Sequence, residues 1–258
     1  MPEILVKDTT LPRAYHKALL ALKYEGEQVD CADWNTTCLE TGMTIVIEQP
    51  LAEPMISNCF IGGPKSLQQY VMEMLDGILD FEIAKGNWVY TYHNRMAAMK
   101  DPKDPAKVID QVQFVIDDLK RNPSSRRAVI LVRNNEDLYS EDPACLQHIQ
   151  YMIRNGKLDC KVLFRSNDAC KASYMNMFAL IMLQKRVADA LGIQVGSYTH
   201  RANSYHCYAR DFASLDKYVR RIEVDEEACI TEYEDDWQEM MEEEIPAIEA
   251  MVEELRNR

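Results

Sequence analysis

No apolar run in this 258-residue chain approaches the ~18–20 residues that a membrane-spanning helix needs, so no membrane partner is expected. The first residues, Met1-Pro2-Glu3-Ile4-Leu5, lack the basic and apolar regions of a signal peptide, and a cytoplasmic location is the expectation. Cys-x-x-Cys is missing: the eight cysteines stand at 31, 38, 59, 145, 160, 170, 207 and 229, with no finger or ribbon spacing. They read as reduced thiols, and no metal is expected. Positive charge is scarce, with 29 Lys and Arg against 42 Asp and Glu and a net charge of −13, so bulk electrostatics exclude a nucleic-acid partner. Linkers, repeats and low-complexity tracts are also absent, which leaves one domain over 1–258.

What remains is an ordinary globular composition, 47% apolar and 28% charged, with enough chain for a sizeable core. The residue patterns predict a helix over 11–24 and a strand from Met43 to Glu48. A second helix runs from Pro64 through Leu75 and stops at Gly77. Asp104-Pro105 reads as an N-cap and first-turn proline for an amphipathic helix carrying Val108, Ile109, Val112, Val115, Ile116 and Leu119. Ala128 to Val132 reads as a strand buried on both faces. Ala172 to Leu191 is a helix apolar all round in its middle except at Asn176. Strands are expected at Ile193–His200 and Ser204–Tyr208, and a last helix from Trp237 to Leu255, with one acidic face. The fold class is α/β (α+β): a mixed sheet with flanking helices.

The richest stretch runs from Cys145 to Tyr208. Alternating residues flank Asn155-Gly156, a dipeptide suited to the positive φ angles of a type I′ hairpin turn. Such a loop pairs Arg154 with Lys157 and, counted back, sets Cys145 opposite Ser166; a single bulge would shift this by one residue. Either register puts a thiol beside Arg165, and a positive neighbour lowers a thiol's pKa. Arg126, Arg127, Arg165 and Ser166 make a plausible phosphate cradle, because guanidinium forks match phosphate oxygens. An unpartnered buried amide costs about 1–3 kcal/mol. Either the backbone or a ligand must therefore satisfy Asn176, whose donor and acceptor complement the N3–H and O4 of uracil. His206 and Tyr208 share a strand face and could bind a hydroxyl. Plainer readings stand beside these: Cys145 as a small buried hydrophobe, the arginines as surface charge, and the histidine–tyrosine pair as core.

Together these residues resemble thymidylate synthase. Pro143-Ala144-Cys145 with Gln150 five residues on is similar to the family's nucleophile motif, and Arg165-Ser166-Asn167-Asp168 to its Arg-Ser-x-Asp. Asn176 stands eight residues past that aspartate, His206-Cys207-Tyr208 fits His-x-Tyr, and Arg126-Arg127 precede a strand. The look is that of the divergent archaeal members. The resemblance implies dUMP as substrate and a homodimer in which Arg126 and Arg127 reach the partner's site. It implies attack by Cys145 on C6 of the base, which makes C5 nucleophilic toward a one-carbon unit carried by a reduced folate or methanopterin. Asn176 would orient the base, Arg126, Arg127, Arg165 and Ser166 the phosphate, and His206 and Tyr208 the 3′-hydroxyl. Asp168 would face the pterin, and Tyr90, with Arg95 at the family's spacing, would help remove the C5 proton.

Several positions depart from the family pattern. Its N-terminal phosphate arginine has no counterpart near Asp33-Trp34-Asn35, and the histidine after its nucleophile is Leu146. Tyr70 falls where a helix glutamate is expected, with Glu73 one turn displaced. An acidic helix replaces the apolar C-terminal tail. Three other functions are weighed: hydroxymethylation of dUMP or dCMP, in which water captures the exocyclic methylene; a papain-like hydrolase pairing Cys145 with His200 or His206; and a nucleotide-binding protein without turnover.

Overall fold

The structure is a computed structural model that describes every residue except Pro102 and, for side chains, Asp33 and Pro105. Strand β1 (Glu3–Asp8) leads into α1 (Leu11–Glu25), whose Pro12 sits in the first turn, where a missing N–H breaks no bond. Strands β2 (Glu27–Cys31), β3 (Thr36–Ile47) and β4 (Ile56–Ser57) precede α2 (Pro64–Asp76). Gly77 ends α2 at φ 63°, the left-handed turn that glycine tolerates best. Two short helices follow, α3 (Phe81–Ala84) and α4 (Tyr92–Ala97), then the hairpin of β5 (Met99–Asp101) and β6 (Asp104–Ile109). Next come α5 (Gln111–Arg121), β7 (Val129–Leu131), β8 (Leu146–Arg154), β9 (Lys157–Asp168) and α6 (Ser173–Leu191). The chain continues through β10 (Gln194–Tyr208), α7 (Phe212–Val224), β11 (Ile230–Thr231), α8 (Gln238–Glu243) and α9 (Ile245–Asn257).

Seven strands form one mixed sheet in the order β1-β3-β10-β9-β8-β7, with β2 also on β3; β1–β3 and β9–β10 are parallel. Two adjacent rows of paired residues show how it is covered. Val6, Ile45, His200, Val162, Ile149 and Ile130 pair across the sheet and are all buried. One residue further along, Leu5, Thr44, Arg201, Leu163, His148 and Leu131 also pair, and none is buried. Successive side chains alternate between faces, so helices cover one face and leave the other open. The covered face meets α6, whose Met177 to Ile181 are entirely buried, as its all-round apolar sequence predicts.

Four expectations are corrected. Asp104–Ile109 is a strand paired with β5, and the helix begins at Gln111, capped by the Asp110 carboxylate on the Gln113 N–H at 2.9 Å. Val108 is exposed, and the helix buries only the later apolar positions. Strand β7 lies at a sheet edge with Leu131 58% exposed, so it is buried on one face, not two. The two strands expected after α6 are one, β10, with register shifts against both neighbours. The last helix is broken at Glu244, because Pro246 has no N–H and its ring would clash with the carbonyl four residues back.

One buried ion pair ties α4 to the loop that leads into β8. Arg95 Nη2 lies 3.0 Å from Asp137 Oδ1, with side chains only 7% and 0% exposed. The guanidinium also lies over the Tyr90 ring, 5.5 Å from its centroid. Removing one partner leaves the other charge buried and alone. Asp137→Ala is therefore expected to lose about 3–5 kcal/mol of stability, read from the urea midpoint, and Asp137→Leu in an Arg95→Met background to lose less.

Candidate active site

Asn155 (φ 51°) and Gly156 (φ 74°) make the two-residue turn, and β8 and β9 pair from Arg154↔Lys157 to His148↔Leu163 as the sequence predicts. The next pair is Leu146↔Phe164, so Gln147 is one residue too many and forms a bulge. Cys145 consequently lies opposite Arg165 rather than Ser166, and the Arg165 N–H donates to the Cys145 carbonyl at 2.8 Å. Arg165 grips the same loop with its side chain: Nη2 donates to the Pro143 carbonyl at 2.6 Å and Nε to that of Ala144 at 3.3 Å. Gln147 adds Nε2 bonds to the carbonyls of Ala144 (2.7 Å) and Cys145 (3.2 Å). The loop's carbonyls are thus occupied, and the half-buried thiol is held at the start of β8.

The electrostatics correct one expectation. Burial pushes the Cys145 thiol up, Arg165 pulls it down and Asp142 pushes it up again, so the balance lies above the ordinary thiol value. Tyr70, Tyr90 and Tyr92 gather beside it, Tyr90 and Tyr92 with ring centroids 5.8 Å apart. Burial, with Cys145 and Asp142 nearby, pushes the Tyr90 phenol up to about 12, so it is neutral at pH 7. Asn176, in the first turn of α6 and 3% exposed, accepts a hydrogen bond on Oδ1 from the Tyr70 hydroxyl.

Asp168 ends β9 and shapes the turn into α6, its Oδ1 accepting the N–H groups of Cys170 (3.0 Å) and Lys171 (2.9 Å). Ser166 Oγ lies 3.4 Å from His206 Nδ1, long for a hydrogen bond. The rings of His206 and Tyr208 meet edge to face with centroids 4.7 Å apart, and Arg210 lies over Tyr208 at 4.9 Å. Burial, outweighing the nearby Asp168, lowers the His206 pKa and keeps the ring neutral.

The structure brings Cys145, Tyr90 and Asn176 around Tyr70, with Arg165 beside Cys145 and Tyr90, and sets Ser166, Asp168, His206 and Tyr208 along the adjoining ends of β9 and β10. It does not bring Arg126 and Arg127 there. Both are exposed just before β7, and Tyr151 N–H donates to Ala128 O, so Arg127 lies level with Met152. Seven strand residues separate that point from Cys145, roughly 20 Å or more. His200 is no base for Cys145: its ring nitrogens meet Asn167 Oδ1 (2.9 Å) and Tyr198 OH (3.1 Å), and burial lowers its pKa to about 3. Among the described residues, no group of three or more His, Cys, Asp or Glu is placed to hold a metal. All eight cysteines are free thiols, and among the described residues no helix is long and apolar enough to cross a membrane. Sequence reasoning missed the hold of Gln147 on the loop before Leu146 and the contact of Tyr70 with Asn176. A hydroxyl on the apolar stripe Leu67, Val71, Met74 of α2 was the available signal for the second.

The family model described as thymidylate synthase matches residues 64–249. A protein of Methanocaldococcus jannaschii named "Putative thymidylate synthase" is 32% identical over 83% of this chain and 96% of its own length. One of the same name from Methanosarcina barkeri is 25% identical over 84% of this chain and 95% of its own. A thymidylate synthase of Bacillus licheniformis is 33% identical over 44% of this chain and 41% of its own.

The charge balance at the thiol gives a direct check. Alkylation of Cys145 by iodoacetamide, followed by peptide mass spectrometry, should rise with pH through and beyond the range of a free thiol. Asp142→Asn removes a negative neighbour and should raise the rate at pH 8 by roughly twofold, whereas Arg165→Gln should lower it.

Proposed function

The chain belongs to the thymidylate synthase family, whose members are methyltransferases, and from that premise we propose that it methylates C5 of dUMP to give dTMP. The observation that carries this reading is the neighbourhood of Tyr70, which bonds to the carboxamide of Asn176 while lying close enough to Cys145 to share its electrostatics. A thiol and a base-reading amide therefore border one site, with the Arg165 guanidinium at its rim.

The Cys145 sulfur adds to C6, and the electron pair of the C5–C6 double bond moves onto C5 and the 4-oxygen. The Asn176 carboxamide shares that charge through a hydrogen bond. Once C5 has taken the one-carbon unit, loss of its proton would let the bond from that carbon to the pterin nitrogen break, leaving an exocyclic methylene. Hydride from the reduced pterin to that methylene would form the methyl group as the C5–C6 double bond returns and the sulfur leaves C6. Tyr90, neutral at pH 7, serves by orienting the water that removes the proton and not as a phenolate. Arg165 and Ser166 receive the phosphate, and His206 and Tyr208 the 3′-hydroxyl. The reduced pterin, of folate or methanopterin type, supplies the methylene group and the reducing equivalents. Asp168 suits it: Oδ1 is engaged by backbone, and Oδ2 makes no hydrogen bond among the described residues, leaving an acceptor for ring N–H groups.

The open sheet face and the remoteness of Arg126 and Arg127 support a homodimer joined through that face, each protomer lending its two arginines to the other's phosphate site. Two measurements test the proposal. Incubation with 5-fluoro-dUMP and a methylene-bearing pterin should add both masses to Cys145 and neither to a Cys145→Ser variant; the pterin that supports trapping identifies the carrier. A product heavier than dTMP by one oxygen would instead mean hydroxymethylation. Mixing inactive Cys145→Ala with inactive Arg126→Glu/Arg127→Glu should restore about a quarter of wild-type activity, since half the dimers then carry one intact site.

A further inference from the structure

We propose that Tyr70 is a positioning residue that sets the pyrimidine preference of the site, by holding the Asn176 carboxamide in the orientation that accepts a 4-oxo base. This rests on the dUMP reading above and goes further, naming the group that enforces uracil over cytosine.

Helix α2 packs on α6, and its stripe of Leu67, Tyr70, Val71 and Met74 carries a single hydroxyl. That hydroxyl donates to Asn176 Oδ1. Nδ2 of the same carboxamide makes no hydrogen bond among the described residues, and it is not among the buried polar atoms lacking a partner. The edge of the amide that carries Nδ2 is therefore not sealed in the core, and Oδ1 keeps one lone pair besides the one that Tyr70 engages. Such an edge offers a donor and an acceptor side by side, matching O4 and N3–H of uracil. Cytosine presents the reverse pair, a 4-amino donor and an N3 acceptor, and needs the amide flipped.

The flip is where Tyr70 acts. With Nδ2 turned toward it, the phenol can only accept, and its own proton loses its acceptor. Among the described residues its hydroxyl donates to Asn176 alone: the nearby Glu73 makes no bond to it, and one oxygen of Glu73 already accepts from Gln69 Nε2 at 2.8 Å. Nor can the phenol shed the proton, because burial and the neighbouring Glu73 push its pKa up. Stripping this half-buried donor of its acceptor costs free energy, and the cost falls on the cytosine-binding orientation alone.

The test is calorimetric binding of dUMP and dCMP to the full chain as wild type, Tyr70→Phe, Asn176→Ala and the double variant. Wild type should prefer dUMP. Tyr70→Phe should cut that preference by roughly 5- to 30-fold, and Tyr70→Met, which keeps apolar packing without a hydroxyl, should do the same. In the Asn176→Ala background, adding Tyr70→Phe should change the ratio less than twofold, because the amide it orients is gone. A Tyr70→Phe variant that keeps the wild-type preference within twofold overturns the inference while leaving the dUMP reading intact. So does a loss that persists undiminished in the Asn176→Ala background. A wild type that binds neither nucleotide overturns the dUMP reading and this inference with it.

Discussion

Arg165 donates its backbone N–H to the carbonyl of Cys145 and its guanidinium to those of Pro143 and Ala144, and the rest of the site depends on that grip. It exists because Gln147 is an extra residue in β8. Side chains alternate with period two along a strand, so one inserted residue exchanges the faces of everything beyond it. Without the bulge, Cys145 would stand opposite Ser166, and Arg165 would meet Leu146 instead of Cys145. The bulge also lets Leu146 and Ile149 both turn into the core, although three residues separate them. Packing and chemistry are satisfied by the same irregularity.

The arginine is thereby partly spent on the protein's own backbone, and this fits the charge balance at the sulfur. Half-buried and flanked by Asp142, the thiol is harder to ionise than a free one despite the guanidinium. The cation organises more than it activates. At Asp168 one oxygen shapes the turn into α6, while the other makes no hydrogen bond among the described residues. Within a chain of net charge −13, the cationic groups of the site act through placement and not through a broad positive field.

Much of this was legible in the sequence wherever a local rule decided the outcome. Asn155-Gly156 fixed the hairpin, Gly77 the end of α2, and the run around Asn176 the buried helix. Longer-range competition hid the rest. Asp104-Pro105 looks like a helix start, but pairing with β5 claims 104–109, and Asp110 offers the cap instead. The apolar residues 128–132 suggest a central strand, yet only tertiary position reveals an edge. The bulge changes the parity of the buried positions, Leu146 standing out of phase with Ile149 and Tyr151, but one residue at the start of a strand is too short a run to reveal it. Order and spacing identified the residues around Cys145, while the distance from Arg126 and Arg127 to that cysteine emerges only from register counted along β7 and β8.

The place of β10 has a consequence for the birth of the molecule. It lies between β9 and β3, and its partners on β3 are some 150 to 170 residues earlier in the chain. Closing so wide a loop is entropically expensive and slow. His206 and Tyr208 arrive only with this strand, long after Cys145 and Asn176 have been synthesised. A nascent chain on the ribosome therefore carries a half-built site until β10, in the last quarter of the chain, emerges and docks.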